Sequence, residues 1–153
     1  MTLRERPYGQ FRFLVDLGGG AESGDFTAGF QEVTGLGFEV TVAEYRNGNS
    51  LESGPMKITG TSKVADVTFK RGVIGDDSLY VWLDQIRNGA QEEALRTVRI
   101  DLLPESGDPT PAQTWTLKRA RIIKCTGPAL NGKGTESAVE EIVLACERME
   151  MEF

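Results

Sequence analysis

The sequence contains no histidine. This absence excludes Ser-His-Asp and Cys-His nucleophilic sites, and it removes the most common ligand of zinc and iron. The two cysteines, Cys125 and Cys146, lack Cys-x-x-Cys spacing and are interpreted as small buried apolar residues within strands, with a disulfide or a reactive thiol as the alternatives. No apolar run approaches the roughly 18 to 20 residues that a membrane-spanning helix needs. We therefore expect no metal site, no cofactor and no membrane insertion by this chain.

A basic surface is also lacking, because the chain of 153 residues carries a formal net charge of -6. The acidic balance argues against binding of exposed nucleic acid through a simple basic face. Carboxylates occur in adjacent pairs, such as Glu92 with Glu93 and Glu140 with Glu141. Neighbouring residues of a strand point to opposite faces, so these pairs do not converge as a general acid and base would. We expect one domain over residues 1–153 that is not an enzyme.

What the sequence does contain is period-two alternation of apolar and polar residues, which is typical of strands with one buried face. The alternation recurs in six or seven segments. The first of them has the apolar residues Phe11, Phe13, Val15 and Leu17. Glycines within residues 34–37 predict a bend in a long extended region, and a change of parity after Leu117 predicts a bulge near Lys118 and Arg119.

One segment has helical periodicity instead. Its apolar residues recur at helical spacing and are Leu79, Trp82, Leu83 and Ile86. They predict an amphipathic helix over residues 77–88, with Asp76 or Asp77 as its N-cap and Gly89 at its C-terminal end. The fold class predicted is mostly β (α+β): an antiparallel β-barrel or sandwich of six to seven strands with one amphipathic helix.

Three segments have patterns that bear on function. Residues 18–25 are glycine-rich, but a strand pattern follows them, so they are interpreted as a hairpin loop and not as a phosphate-binding loop. Residues 47–61 read as the longest irregular stretch of the central region, either an interaction loop or a plain linker. Residues 139–153 read as one final strand. Its unprotected edge favours pairing with another subunit.

Basic residues cluster in an otherwise acidic protein. They lie in the strand that contains the suspected bulge and are Lys118, Arg119, Arg121 and Lys124. One interpretation is a mixed-charge face, in which glutamates of the last strand such as Glu147 and Glu150 pair with these cations. The other is a functional basic surface that faces nucleic acid or an acidic partner.

Short motifs follow one another along nearly the whole chain. They are FRF at 11–13, GFQEVTGL at 29–36, EYR at 44–46, KRG at 70–72, Leu79 and Trp82 in the helix, Trp115, and GPALN at 127–131. In order and spacing they resemble the inner-tube (tail tube) proteins of contractile phage tails and of phage-tail-like contractile injection systems. The resemblance does not distinguish a phage tail from the tail of a defective prophage or from a cellular injection device.

The resemblance implies a structural role. Six copies would form a ring, and rings would stack into a hollow tube that contraction of a sheath drives through a target envelope. The implied partners are further copies of the chain, the sheath protein, the baseplate or spike hub, terminator proteins, and effector cargo or phage DNA in the lumen. Assembly would take place in the bacterial cytoplasm, and the protein would then lie inside the sheath of the injection particle or virion tail.

The resemblance also suggests three functional surfaces. The expected subunit and ring interface is the loop with Arg46, Asn47, Asn49, Ser50, Leu51, Met56 and Lys57. The expected sheath-facing helix surface has Asp76, Asp77, Asp84 and Arg87. The candidate lumenal or charged strand face has Lys118, Arg119, Arg121, Glu147 and Glu150.

An alternative function belongs to a different class. A ring-forming β-barrel could act as a binding module that holds an effector or small ligand, as the related secreted ring proteins of type VI secretion can. Such a module would form rings that bind cargo without forming sheath-clad tubes.

Overall fold

The computed structural model describes residues 4–18, 29–73, 75 and 77–153. Within these residues the alternating segments form nine antiparallel strands, and the segment with helical periodicity forms one helix. In chain order the elements are β1 (Phe13–Asp16), β2 (Glu32–Thr34), β3 (Phe38–Tyr45), β4 (Met56–Val64), β5 (Val67–Gly72), α1 (Ser78–Arg87), β6 (Arg96–Leu102), β7 (Gln113–Thr126), β8 (Val139–Ala145) and β9 (Arg148–Glu152). The predicted mostly β class with a single helix is confirmed.

Seven strands form one sheet in the order β1-β6-β7-β8-β5-β2, with β9 paired to β7 outside this path. The long strand β7 connects the two halves of the sheet. Its first part pairs with β6 on one side and β9 on the other, and its second part pairs with β8. Arg119 lies at the changeover with a φ of 54°, and the register against β6 shifts at this point. The predicted bulge is therefore confirmed.

The two halves of the sheet enclose one hydrophobic core to which α1 also contributes. Fully buried core residues come from both halves and include Val15, Phe69, Val98, Leu117, Ile122 and Leu144. Trp82 anchors the helix, because its indole Nε1 donates a hydrogen bond of 2.7 Å to the carbonyl oxygen of Ala94. Asp77 is the N-cap residue, as predicted, although its side chain makes no capping hydrogen bond, and the alternative cap Asp76 lies outside the described residues.

The predicted bend at residues 34–37 is confirmed and separates the hairpin β3–β4 from the main sheet. Gly35 has a φ of +90°, a conformation that an L side chain rarely adopts. Gly37 N donates to the Gly35 carbonyl oxygen at 2.8 Å, and Ala65 N donates to the Gly37 carbonyl oxygen at 3.0 Å. Beyond this point β3 and β4 form a two-stranded sheet, and among the described residues they pair only with each other.

Two predictions of secondary structure are wrong. Residues 56–61 are not irregular, because β4 begins at Met56 and pairs with β3. The final strand is not continuous. The buried residue Leu144 of β8 and the buried residue Met149 of β9 have opposite parity, so the chain breaks between them and each piece pairs with a different part of β7. These two changes account for the larger number of strands.

The first strand is also shorter than predicted, since β1 begins at Phe13 and leaves Phe11 exposed outside it. The predicted hairpin loop at residues 18–25 lies outside the described residues, apart from Gly18.

Candidate assembly surfaces

The hairpin β3–β4 has exposed residues along almost the whole length of both strands. Every residue of β3 is exposed, and so is every residue of β4 except Val64, which is half-buried. Its large exposed apolar residues are Phe38, Val40, Val42, Tyr45, Met56 and Ile58. An isolated two-stranded hairpin is marginal in water, and contiguous exposed apolar surface marks an interaction site. The hairpin is therefore the strongest candidate for an assembly surface in the described part of the chain.

The apolar residues occupy different faces at the two ends of the hairpin. Residues directly opposite each other in the register share a face. Near the base, Phe38 lies opposite Val64 on one face. Near the tip, Tyr45 lies opposite Met56 on the other face, next to the pair of Ala43 and Ile58. Both faces of the hairpin therefore present apolar surface, one at the base and one at the tip.

The loop between β3 and β4 contains most of the predicted interface residues. Arg46, Asn47, Asn49, Ser50 and Leu51 are exposed there, and Leu51 projects fully into solvent. The loop begins with a turn in which Ser50 N donates to the Asn47 carbonyl oxygen at 3.1 Å.

Two residues assigned to this loop from the sequence lie elsewhere. Met56 and Lys57 belong to β4, opposite Tyr45 and Glu44, so their prediction as loop residues is wrong. Gly60 and the threonines of this segment interrupt its alternation of apolar and polar residues, so the sequence did not predict a strand there. Sequence reasoning also missed the exposed strand residues as interface candidates, because alternation in β3 predicts a buried face within the same chain.

The outward face of α1 is mixed in character. Asp84 Oδ1 accepts a hydrogen bond of 2.7 Å from Arg87 Nη2, and this contact raises the pKa of Arg87. The guanidinium also lies 5.6 Å from the ring centroid of Tyr80, which is exposed together with Val81. Asp77 is exposed at the start of the helix. The charge of Asp84 is thus partly balanced within the helix. Asp76, the remaining residue predicted for this surface, lies outside the described residues.

The predicted charged strand face is brought together by the bulge of β7, and we refer to it as the charged strip. Arg121 Nη2 lies 2.9 Å from Glu147 Oε1, and Lys118 Nζ lies 3.0 Å from Glu150 Oε2. The backbone of Arg119 directs its side chain between Glu147 and Glu92. These three cations therefore pair with glutamates, as the mixed-charge interpretation expects for this face.

Two members of the charged strip were not predicted. Arg148 lies 3.1 Å from Glu150, and Glu92 lies 3.3 Å from Arg119. Glu92 comes from the segment after α1 and is far from β7 in sequence, so strand periodicity could not reveal it. The hydrogen bond from Lys118 holds the pKa of Glu150 below its usual range.

A cleft of about 610 Å³ lies between β1 and β2, the two end strands of the main sheet, and we call it the β1–β2 cleft. Its lining is mainly apolar and aromatic, with Phe11, Phe13, Val33, Leu36, Leu102 and Trp115 among the contributing residues. A strand pattern alone could not predict this cleft, since it depends on which strands end the sheet.

Chemistry-bearing groups do not converge in the described residues. Among them, no group of three Cys, Asp or Glu side chains is placed to hold a metal ion, and no helix is long and apolar enough to cross a membrane. Cys125 lies in β7 but is exposed, and Cys146 is half-buried just after β8, so the interpretation of both as buried strand residues is wrong. Partial desolvation raises the pKa of each thiol, which disfavours the reactive thiolate forms. The notable surfaces are therefore the hairpin, the outer face of α1, the charged strip and the β1–β2 cleft.

Solved structures similar to this chain include tubes of injection systems. One such match is a chain of the PVC sheath-tube complex in the extended state, from an extracellular contractile injection system. It is 28% identical in sequence to this chain, with a TM-score of 0.81, and the match covers 97% of this chain and 93% of that chain. The tube terminating cap of the anti-feeding prophage is 25% identical with a TM-score of 0.83, over 99% of this chain and 95% of that one. Hcp1 from Flavobacterium johnsoniae, at 11% identity and a TM-score of 0.52 over 91% and 93% of the two chains, shares the fold alone.

Comparison of sequences identifies the family. No curated protein matches the chain. The profile of the T4-like virus tail tube protein gp19, however, matches residues 9–150, which is nearly the whole sequence. The chain accordingly belongs to the T4-like tail tube protein family and is a structural tube subunit.

Proposed function

We propose that six copies of this chain close into a ring and that the rings stack into the hollow inner tube of a contractile injection particle or phage tail. The observation that carries the proposal is the β3–β4 hairpin, whose strands expose apolar side chains on both faces. Similarity to a PVC sheath-tube complex and to a PVC sheath/tube terminator supports a sheath and a terminator as partners.

Each surface then has a distinct partner. The hairpin and the loop with Arg46, Asn47, Asn49, Ser50 and Leu51 contact neighbouring subunits and the next ring. The outer face of α1 contacts the sheath, and the charged strip lines the lumen. Because its cations and carboxylates are paired, the strip exerts little net field on an effector or on phage DNA that passes through. The baseplate hub occupies one end of the tube.

The proposed role also sets where the protein acts. Subunits assemble in the bacterial cytoplasm and afterwards remain inside the sheath of the particle. The role needs shape and contacts and no chemical step, so we propose that the chain is not an enzyme.

A single substitution tests the role of the hairpin. Val42→Asp places a charge in the middle of β3, on the exposed apolar face that Val42 shares with Phe38 and Val40, so it should block assembly while the monomer keeps its circular dichroism spectrum and unfolding midpoint. Leu130→Asp is the matched control, because Leu130 is also exposed but lies in the loop between β7 and β8. Electron microscopy and light scattering should detect six-fold rings or tubes for the wild type and Leu130→Asp, and monomers for Val42→Asp.

The same experiment can refute the proposal. A wild-type protein that stays monomeric at every concentration, or normal tubes from Val42→Asp, would contradict it. Single rings that never stack and instead bind a ligand would favour the alternative of a ring-forming binding module.

A further inference from the structure

We propose that Asn131 is a site of self-modification, at which the backbone nitrogen of Gly132 attacks the side-chain amide and converts the asparagine, through a cyclic succinimide, to aspartate and isoaspartate. The sequence contains four asparagines, and the three that precede a glycine are Asn47, Asn88 and Asn131. The inference goes beyond the proposed function, because the reaction takes place within one chain and requires neither a ring nor a tube.

The reaction is an intramolecular acyl transfer. Gly132 N loses its proton to hydroxide and forms a bond to Asn131 Cγ, while the bond between Cγ and Nδ2 breaks and ammonia leaves with a proton from water. Water then opens the succinimide ring. Its attack on Cγ gives aspartate, whereas its attack on the main-chain carbonyl carbon of residue 131 gives isoaspartate. The net change consumes water, releases ammonia and involves no oxidation or reduction.

The turn at residues 131–134 prepares the side chain of Asn131 for this attack. Asn131 Oδ1 accepts a hydrogen bond of 3.0 Å from Lys133 N, and the Asn131 carbonyl oxygen accepts one of 3.0 Å from Gly134 N. The first bond folds the side-chain amide back along the backbone of Gly132. Oδ1 becomes negatively charged as the bond to Cγ forms, so a donor already in place lowers the barrier.

Gly132 leaves the attacking nitrogen unhindered. Among the described residues Gly132 N donates no hydrogen bond, so no contact has to break before it reacts. A Cβ atom added to Gly132 would meet nothing within 4 Å, which shows that the surroundings are open. Residues 129–138 are all exposed, so hydroxide and water reach the turn.

Asn88 has the same sequence motif but the opposite environment. Its Nδ2 donates a hydrogen bond of 3.2 Å to Asp84 Oδ2, and Gly89 N donates one of 3.3 Å to the carbonyl oxygen of Ile86. Both the leaving group and the attacking nitrogen are therefore held at the end of α1. The nearby carboxylate of Asp84 also disfavours loss of a proton from the backbone nitrogen. We expect Asn88 to remain intact.

Asn47 provides an intermediate case. It is exposed in the loop between β3 and β4, and among the described residues Gly48 N donates no hydrogen bond. The Asn47 carbonyl oxygen accepts from Ser50 N at 3.1 Å, but its Oδ1 accepts no hydrogen bond from the described residues. Asn47 thus has the free nucleophile without the donor, and we expect it to react more slowly than Asn131.

Modification changes both the charge and the shape of the loop between β7 and β8. Either product adds a carboxylate beside Lys133 in a chain that already has a formal net charge of -6. Isoaspartate also adds a methylene to the main chain, so the turn that closes at Gly134 has to rearrange. Stored protein therefore becomes a mixture of chains that differ at this loop.

Peptide mass spectrometry of the full-length protein tests the inference. The protein is kept folded at mildly alkaline pH in heavy-oxygen water, which marks only the modification that occurs during the incubation, and isoaspartate is identified by electron-transfer fragmentation. We expect labelled aspartate and isoaspartate at position 131, formed at least about tenfold faster than at position 88. The rate at position 47 should lie between these two.

Gly132→Ala is the matched variant. The added Cβ has free space, and the φ of Gly132 lies outside the left-handed region, so the variant should keep the wild-type circular dichroism spectrum. The methyl group hinders the attacking nitrogen, and we expect modification of Asn131 to slow at least about tenfold. Asn47 and Asn88 should retain their wild-type rates and serve as controls within the same molecule.

The other outcomes overturn the inference. Modification of Asn131 as slow as that of Asn88 would reject the site, and so would an unchanged rate in Gly132→Ala. Aspartate without isoaspartate would show direct hydrolysis in place of the succinimide route. Equal rates at Asn47 and Asn131 would reject the role assigned to the Lys133 backbone donor.

Discussion

Gly35 and Asp66 meet where the chain leaves the main sheet, and their contact leaves no room for a side chain on the glycine. A Cβ atom added to Gly35 would lie 2.3 Å from the carbonyl oxygen of Asp66. The approach joins the end of β2 to the residues that precede β5. It therefore sets the direction in which the β3–β4 hairpin projects from the core.

Replacement of Gly35 by alanine should destabilise the protein and weaken its assembly. The backbone has a φ of +90° there, so the variant suffers both a strained conformation and a clash with backbone. We expect the free energy of unfolding to fall by about 1 to 3 kcal/mol, measured by urea denaturation of the monomer. Gly37→Ala is the control, because an added Cβ at Gly37 meets no atom within 4 Å. Equal losses in the two variants would contradict the special role of the Gly35 backbone conformation and of its contact with Asp66.

The bend illustrates how far the sequence determines the fold. Glycines at 34–37 predict a break in a strand, and the apolar spacing of Leu79 and Trp82 predicts the face that α1 buries. Local pattern was sufficient in both cases, because each feature follows from the conformational freedom of one residue type or from the period of one element.

The assembly surfaces were harder to predict, since they depend on partners that are distant in sequence. The alternation in β3 is the same whether its apolar face meets the core of its own chain or another subunit. Only the pairing with β4, away from the main sheet, exposes Val40 and Val42. Likewise the charged strip includes Glu92 because the bulge at Arg119 turns a side chain towards it.

A buried hydrogen bond joins β6 to β7 and supports the part of the sheet that contains the charged strip. Thr114 Oγ1 donates to Asp101 Oδ1 at 2.8 Å, and Arg99 Nε donates to the same oxygen at 2.9 Å. Thr114→Val keeps the side-chain shape but removes one donor from a buried carboxylate. We expect a loss of about 1 to 3 kcal/mol in the free energy of unfolding, measured by chemical denaturation. Thr116→Val, two residues along the same strand and half-buried, should have a smaller effect.

Acid should destabilise the protein partly through Glu150. The hydrogen bond from Lys118 lowers the pKa of this carboxylate in the folded state. A lowered pKa in the folded state means that the unfolded chain binds more protons over the intervening pH range, so stability falls as the pH decreases through that range. Above the ordinary pKa of a glutamate the stabilisation is fully present.

This pH dependence can be assigned to the pair by substitution. Urea midpoints measured from neutral to acidic pH should decrease less steeply for Glu150→Gln than for the wild type, and Lys118→Met should reduce the slope in the same way. Glu152→Gln, at an exposed position two residues further along β9, is the control and should retain the wild-type slope. A wild-type slope in Glu150→Gln would contradict the assignment.

Charge reversal on α1 should separate sheath binding from tube formation. Asp77 is exposed at the N-terminal end of the helix, and Asp84 is held by Arg87 through a 2.7 Å ion pair. Both reversals change the charge equally, but Asp84→Lys also breaks the ion pair of Arg87, so Asp77→Lys is the cleaner test of the field at this surface. If the helix faces the sheath, Asp77→Lys tubes should form normally but bind less sheath protein in co-sedimentation, with the loss reduced at high salt because exposed charges are screened. Sheath that binds such tubes as it binds the wild type would place the sheath contact on another surface.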